Sequence, residues 1–454
     1  MECIDTSIFE LFKIGPGPSS SHTIGPMKAG FDFLQRMIRL PAGQKAKARR
    51  VLVRLFGSLS ATGKGHGTDR AVLAGLLGEA PETCPSPFLD GLLRGADAVY
   101  ALPEGAPAVS MSAKDIVFDR IEHEFPFPNT LVITLEGADE TLLEQEYYSV
   151  GGGFLQWKGW EPSQRGAPVH PYATMRELRA QLEAKGLTLP ALVLANEMAI
   201  TGASEEQVNA GLDSILQAME ASVANGLVAT GPLPGTLGLY RKARTILEHG
   251  ETKRFPEERF LTLLAACAFA AAEENAAGHT IVTAPTCGSA GVIPAVAHVM
   301  REHLESTPQQ LREGLMAAAA VGFLAKRNAT IAGAEGGCQA EIGVASAMAA
   351  AMLTQGTGYE PNLVENAAET ALEHHLGMTC DPVGGFVQIP CIERNAMSAV
   401  KAYTAFLIAA DEAPAMHKVG LDEVIQAMRE TGRDMSTKYK ETSLGGLAVS
   451  LSTC

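Results

Sequence analysis

The sequence predicts an α+β protein: an N-terminal mixed α/β domain followed by a mostly α-helical one. Three observations predict it. Strand-like runs crowd the first third of the chain, a polar proline-rich stretch follows, and beyond that stretch strand signals almost vanish while helix caps and alanine-rich runs take over. At 454 residues the chain exceeds what one hydrophobic core usually supports, which agrees with two domains.

Arg50 to Phe56 alternates as a strand does, with Val51, Val53 and Leu55 on one face. Asn129 to Leu135 is a second β-branched run, and Ile116 to Ile121 and Glu144 to Val150 are weaker candidates. The last of these leads into Gly151, Gly152 and Gly153, a mobile or tightly turning segment. Asp69 to Leu77 reads as a helix after the glycine-rich loop Gly63 to Gly67. The chain turns polar and proline-rich between Lys158 and Pro171, so the expected domains are residues 1–160 and 175–454, with 161–174 as a linker.

In the second domain, Tyr172 to Lys185 has helical spacing on entry. Ser204 opens a capping box for a helix to about Ala224, and Thr307 with Pro308 opens another to about Ala325. Pro361 to His375, Cys391 to Ala410 and Leu421 to Glu430 complete the expected helices, and Ala345 to Met352 predicts close helix packing.

Composition bounds the function. The net charge of −15 leaves nothing basic to neutralise phosphates, so no nucleic-acid partner is expected. Gly314 to Ala325 is the best uncharged apolar stretch, about a dozen residues where a membrane span needs roughly twenty, so no membrane partner is expected. The start of the chain shows no cationic segment followed by an apolar one, and the eight cysteines read as thiols of a reducing compartment.

Three cysteines stand in unusual glycine- and proline-rich settings: Cys338 after Gly336 and Gly337, Cys380 before Asp381 and Pro382, and Cys391 after Pro390. Thiolates are the usual ligands of iron–sulfur clusters, and glycine lets backbone amides approach the cluster sulfurs. The spacing matches none of the compact ferredoxin runs, so structural cysteines are the other reading. Three thiolates on a four-iron cluster would leave one iron open to act as a Lewis acid. The chain ends in Cys454, whose thiolate and α-carboxylate mimic the hydroxyl and carboxylate of serine. It is either a temporary fourth ligand or an incidental exposed residue.

Ser19, Ser20, Ser21, His22 and Thr23 follow glycine and proline turns and form either a carboxylate cradle or a polar cap for the next helix. His66 and Thr68 sit in a second such loop, which lacks the ending of a nucleotide-binding P-loop. Thr286 precedes a helix beside Cys287, and Lys326 adds positive charge shortly before Cys338; helix capping is the plainer reading of both.

Several long motifs in order resemble the bacterial iron–sulfur L-serine dehydratases in their single-chain form. They are Leu11 to Gly30, Gly63 to Ala71, Glu146 to Phe154, Thr283 to Val296, Asn328 to Gly343, Met378 to Ala396 and Lys438 to Ser450. The resemblance implies conversion of L-serine to pyruvate and ammonia. It implies a [4Fe-4S] cluster held by Cys338, Cys380 and Cys391, with Cys454 as the resting ligand that serine displaces. Ser19, Ser20, Ser21, Thr23 and Thr68 would line the substrate pocket with Thr286 and Lys326, and His22 or His66 would be the base. It also implies a cytoplasmic homodimer whose first domain resembles regulatory substrate-binding domains. Cys287 is read as a pocket neighbour. No pyridoxal phosphate is expected, because no lysine stands in a convincing Schiff-base setting. That coenzyme's dehydratases are one rival reading, and a serine or redox sensor is the other.

Overall fold

The computed structural model describes residues 3–95, 97–150, 152–161, 165–412 and 417–450. The chain forms two compact units, residues 14–162 with 278–280, and residues 1–13 with 163–277 and 281–454. It is 56% helical, with its mixed sheet in the N-terminal region. The sequence reading put residues 1–13 in the first domain. Residues 3–13 pack instead with the helices, where Glu197 accepts the backbone N–H of Ile8 at 2.8 Å and Ile8, Leu11 and Phe12 are buried.

In the sheet-bearing unit, β1 (Arg50–Leu55), β2 (Ile116–Phe118), β3 (Thr130–Glu136), β4 (Thr141–Ser149) and β5 (Leu155–Trp157) form one sheet in the order β2-β1-β3-β4-β5. Only β1 and β2 run parallel; the other neighbours are antiparallel. Val51, Val53 and Leu55 are fully buried, as their alternation requires. β3 is central, and Thr130 to Leu135 are all buried, so both of its faces are covered.

Two helices of this unit, Gly25–Ile38 and Thr68–Leu76, meet through glycine. A Cβ on Gly30 would lie 2.3 Å from the Val72 carbonyl oxygen, and one on Gly75 would lie 2.1 Å from that of Met27. No other residue permits that backbone approach. The approach matters because each helix is entered through one of the histidine-bearing loops.

The helical unit follows its caps. Thr174, Ser204 and Thr307 cap Met175–Lys185, Glu205–Val228 and Pro308–Asn328. Pro308–Asn328 packs on Val344–Gly356 so closely that a Cβ on Gly314 would lie 2.7 Å from the Met352 carbonyl oxygen. Among the described residues one helix, Pro256–Ala277, is long and apolar enough to cross a membrane, whereas the sequence pointed to Gly314 to Ala325. Within that helix 67% of the apolar window is buried in protein. Its inward carboxylates are paired: Glu274 takes Arg241 at 2.7 Å, and Glu273 accepts the Lys242 N–H at 2.6 Å.

Candidate functional site

Each unit gathers part of the polar chemistry that the sequence singled out. In the sheet-bearing unit, Ser20–Ile24 forms one wide π-helical turn into Gly25–Ile38, with Ser19 accepting the His22 N–H at 3.2 Å. The two loops are laced reciprocally: the Thr23 hydroxyl donates to the His66 carbonyl at 2.9 Å, and the Thr68 hydroxyl donates to the His22 carbonyl at 2.7 Å. The imidazoles of His22 and His66 therefore stand with ring centroids 4.7 Å apart, both buried. Gly67 adopts a left-handed φ of 63° to begin the second helix.

Hydrogen bonding fixes one of the two tautomers. His66 Nδ1 lies 3.1 Å from the Thr62 carbonyl, which only accepts, so Nδ1 carries the proton and Nε2 the lone pair. His22 is held by hydroxyls at both nitrogens, Ser21 at Nδ1 and Ser58 at Nε2, each at 2.9 Å. Burial pushes His66 down to about 4 and, with the neighbouring His66, holds His22 well below the usual imidazole range. Both rings are neutral at pH 7. Ser19, Ser21, Thr23 and Thr68 are thus bonded to this pair, and Ser20 is buried in the same turn.

In the helical unit, donor atoms of Cys338, Glu341 and Cys380 lie within 4.8 Å of one another. Cys338 leads the π-helical turn Gln339–Gly343, which aims Glu341 at the same point. Cys380 is fixed by its backbone, its N–H donating to the Tyr439 carbonyl at 2.7 Å and its carbonyl accepting from Glu441 at 2.8 Å. Cys391 is the first residue of Cys391–Asp411 and lies in the electrostatic field of Cys338. The hydrogen bond that the Cys380 thiol donates toward Cys338, and then burial, hold Cys380 well above its ordinary range. Burial first, and then the nearness of Cys338, do the same to Cys391.

These sulfurs fit a metal or cluster site on two observations. Buried thiols that resist becoming thiolates, as Cys380 and Cys391 do, need a cation among them to ionise. The wall is also cut to shape: a Cβ on Gly333 would sit 2.4 Å from Glu341 Oε2 and 3.4 Å from Cys380 Sγ. Ile342 and Met378 supply an apolar flank. None of the seven described cysteines forms a disulfide.

Thr286 joins this cluster, its hydroxyl donating to Glu341 Oε1 at 2.7 Å. Enclosure by protein raises the Glu341 carboxyl to about 7 despite that bond. Lys326 stands elsewhere: its ammonium lies 3.3 Å from the Thr6 hydroxyl and in the field of Glu10 and Asp5. Cys287 is buried one residue beyond Thr286. Cys454 lies outside the described residues, as does Gly151. Sequence reasoning missed Glu341 and Arg394, which stand three residues after Cys338 and Cys391. A polar residue at that offset shares a helix face with the cysteine, which was the signal available.

A family model of the serine dehydratase alpha chain matches residues 184–448, and one of the serine dehydratase beta chain matches residues 7–160. The chain is 42% identical over 468 residues to an L-serine dehydratase of Streptomyces coelicolor, with 99% of each chain covered. It is 40% identical to L-serine dehydratase 2 of Escherichia coli, again with 99% of each covered. It is also 40% identical to an L-serine dehydratase of Helicobacter pylori, with 98% of this chain and 99% of the relative covered.

Proposed function

The chain belongs to the serine dehydratase family, and on that premise we propose that it converts L-serine to pyruvate and ammonia with a [4Fe-4S] cluster held by Cys338, Cys380 and Cys391. The convergence of Cys338, Cys380 and Glu341, with Cys391 in their field, is the observation that carries the assignment. When bound, the cluster supplies Lewis acidity toward the substrate hydroxyl.

The three cysteines supply three thiolates, so the trio leaves one coordination position to another ligand. Cys454 is proposed as the resting occupant of that position. Thr286 orients Glu341 beside the sulfurs and keeps its carboxyl from turning away. Ser19, Ser20, Ser21, Thr23 and Thr68 are proposed to contact the substrate carboxylate and shape the histidine loops.

His66 is the preferred proton acceptor, because its tautomer is fixed with the lone pair on Nε2. As Nε2 takes the α-proton, the Cα–H electron pair forms the Cα=Cβ bond and the Cβ–O bond breaks. The departing hydroxide and the removed proton make water. The aminoacrylate so released tautomerises to an imine, which water hydrolyses to pyruvate and ammonium. His22, 4.7 Å away and equally neutral, keeps the neighbourhood uncharged before the transfer.

The reading includes a cytoplasmic homodimer, checked by light scattering of the purified protein and by fractionation of cells. Its principal test is a product assay. Anaerobically prepared protein given L-serine should yield pyruvate and ammonium in equal amounts, with no gain on adding pyridoxal phosphate. Serine binding without pyruvate would refute it.

A further inference from the structure

We infer that Arg394 is the positioning residue that ties the three cysteine segments together and supplies their counter-charge. The inference rests on the reading that this trio holds a cluster. Arg394 lies on the same helix as Cys391, one turn further on. Its guanidinium donates to the Thr379 carbonyl at 2.6 Å and to Asp381 Oδ1 at 3.2 Å, the two residues that flank Cys380. The Cys338 side chain lies within its electrostatic reach. One planar group thus reaches all three segments at once, something a lysine ammonium on a flexible stem does not reproduce.

The charge is placed where the site lacks one. Arg394 is the cation that the helix of Cys391 carries one turn beyond that cysteine, and it is anchored on both residues that flank Cys380. The Arg394 side chain is 17% exposed and that of Asp381 is 4% exposed, so solvent screens this charge weakly. Asp381 offsets part of it, yet Cys338 and Cys391 still lie in the field of the guanidinium.

The test compares anaerobic wild-type protein with Arg394→Met and Arg394→Lys. Iron release to a chelator, the visible and EPR signatures and the midpoint potential are measured beside the melting temperature. Arg394→Met should release iron faster by roughly ten- to a hundredfold, as outer-shell losses do. Its potential should fall, because a lost cation favours the more oxidised cluster. Arg394→Lys should recover the potential more fully than the iron retention. Unchanged release and potential in Arg394→Met overturn the inference, and so do equal losses in both variants that follow only the melting temperature. A wild-type chain lacking iron and sulfide would instead overturn the cluster reading itself, and this inference with it.

Discussion

The backbone N–H of Leu447 donates to Asp381 Oδ2 at 2.8 Å, one residue after Cys380. Gly446 makes this approach possible: its φ is 60°, and a Cβ there would lie 2.2 Å from the same oxygen. Ser443 adds a hydrogen bond to the Pro382 carbonyl at 2.7 Å. The C-terminal segment is therefore moored beside a proposed ligand three residues before the described chain ends.

Asp381→Ala should unmoor that segment and leave Arg394 partly buried without its carboxylate. Losing one member of a buried pair costs about 3–5 kcal/mol. The melting temperature should drop, and limited proteolysis should clip the C-terminus sooner. If the proposed resting role of Cys454 holds, the lag before full turnover should also shorten. An unchanged cleavage pattern would contradict the mooring.

His66→Asn should lower turnover by roughly 10²–10⁴-fold while leaving iron content at the wild-type level. His22→Asn should cost less, since His22 is bonded at both nitrogens. Equal loss in both variants, or a preserved rate in His66→Asn, would reassign the proton acceptor.

The same histidine sets an acid limb of stability. His66 has its folded value lowered to about 4 by burial, against an ordinary value near 6.5. Between those limits the unfolded chain binds the proton and the folded one does not. This contribution is therefore fully present above about pH 6.5 and is lost as pH falls toward 4, by about 3 kcal/mol at most. His375, also lowered to about 4 by burial, acts in the same direction. The melting temperature should fall from pH 7 to pH 5, and by less in His66→Asn.

Gly333→Ala should fail locally. Its Cβ would meet Glu341 Oε2 at 2.4 Å, so the carboxylate must move and its bond from Thr286 must lengthen. Overpacking of this kind costs about 1–3 kcal/mol. Iron content should fall along with stability, and a variant with normal iron and normal melting would show that the wall is soft.

Much of the fold was legible because its elements announce themselves locally. The alternation at Val51, Val53 and Leu55 and the capping boxes at Ser204 and Thr307 are patterns that neighbours along the chain complete. Gly25–Ile38 was not read as an element of its own, because it starts with glycine and proline and its N-cap is Ile24, with no side-chain hydrogen bond. Leu189–Thr201 was missed for the opposite reason: it is apolar on most sides, so no stripe marks it. In the site, the cysteines and histidines stood out by their loops. What the sequence concealed was pairing at a distance: the lacing of Thr23 and Thr68 across two loops, and Glu341 meeting Thr286.

The most direct measurement is iron and acid-labile sulfide per chain, taken anaerobically on wild type and on Cys338→Ser, Cys380→Ser and Cys391→Ser, with serine turnover on the same samples. The account predicts about four irons per wild-type chain, and a loss of both iron and pyruvate formation in each variant. Full turnover without iron, or with any one of the three cysteines replaced, would contradict it.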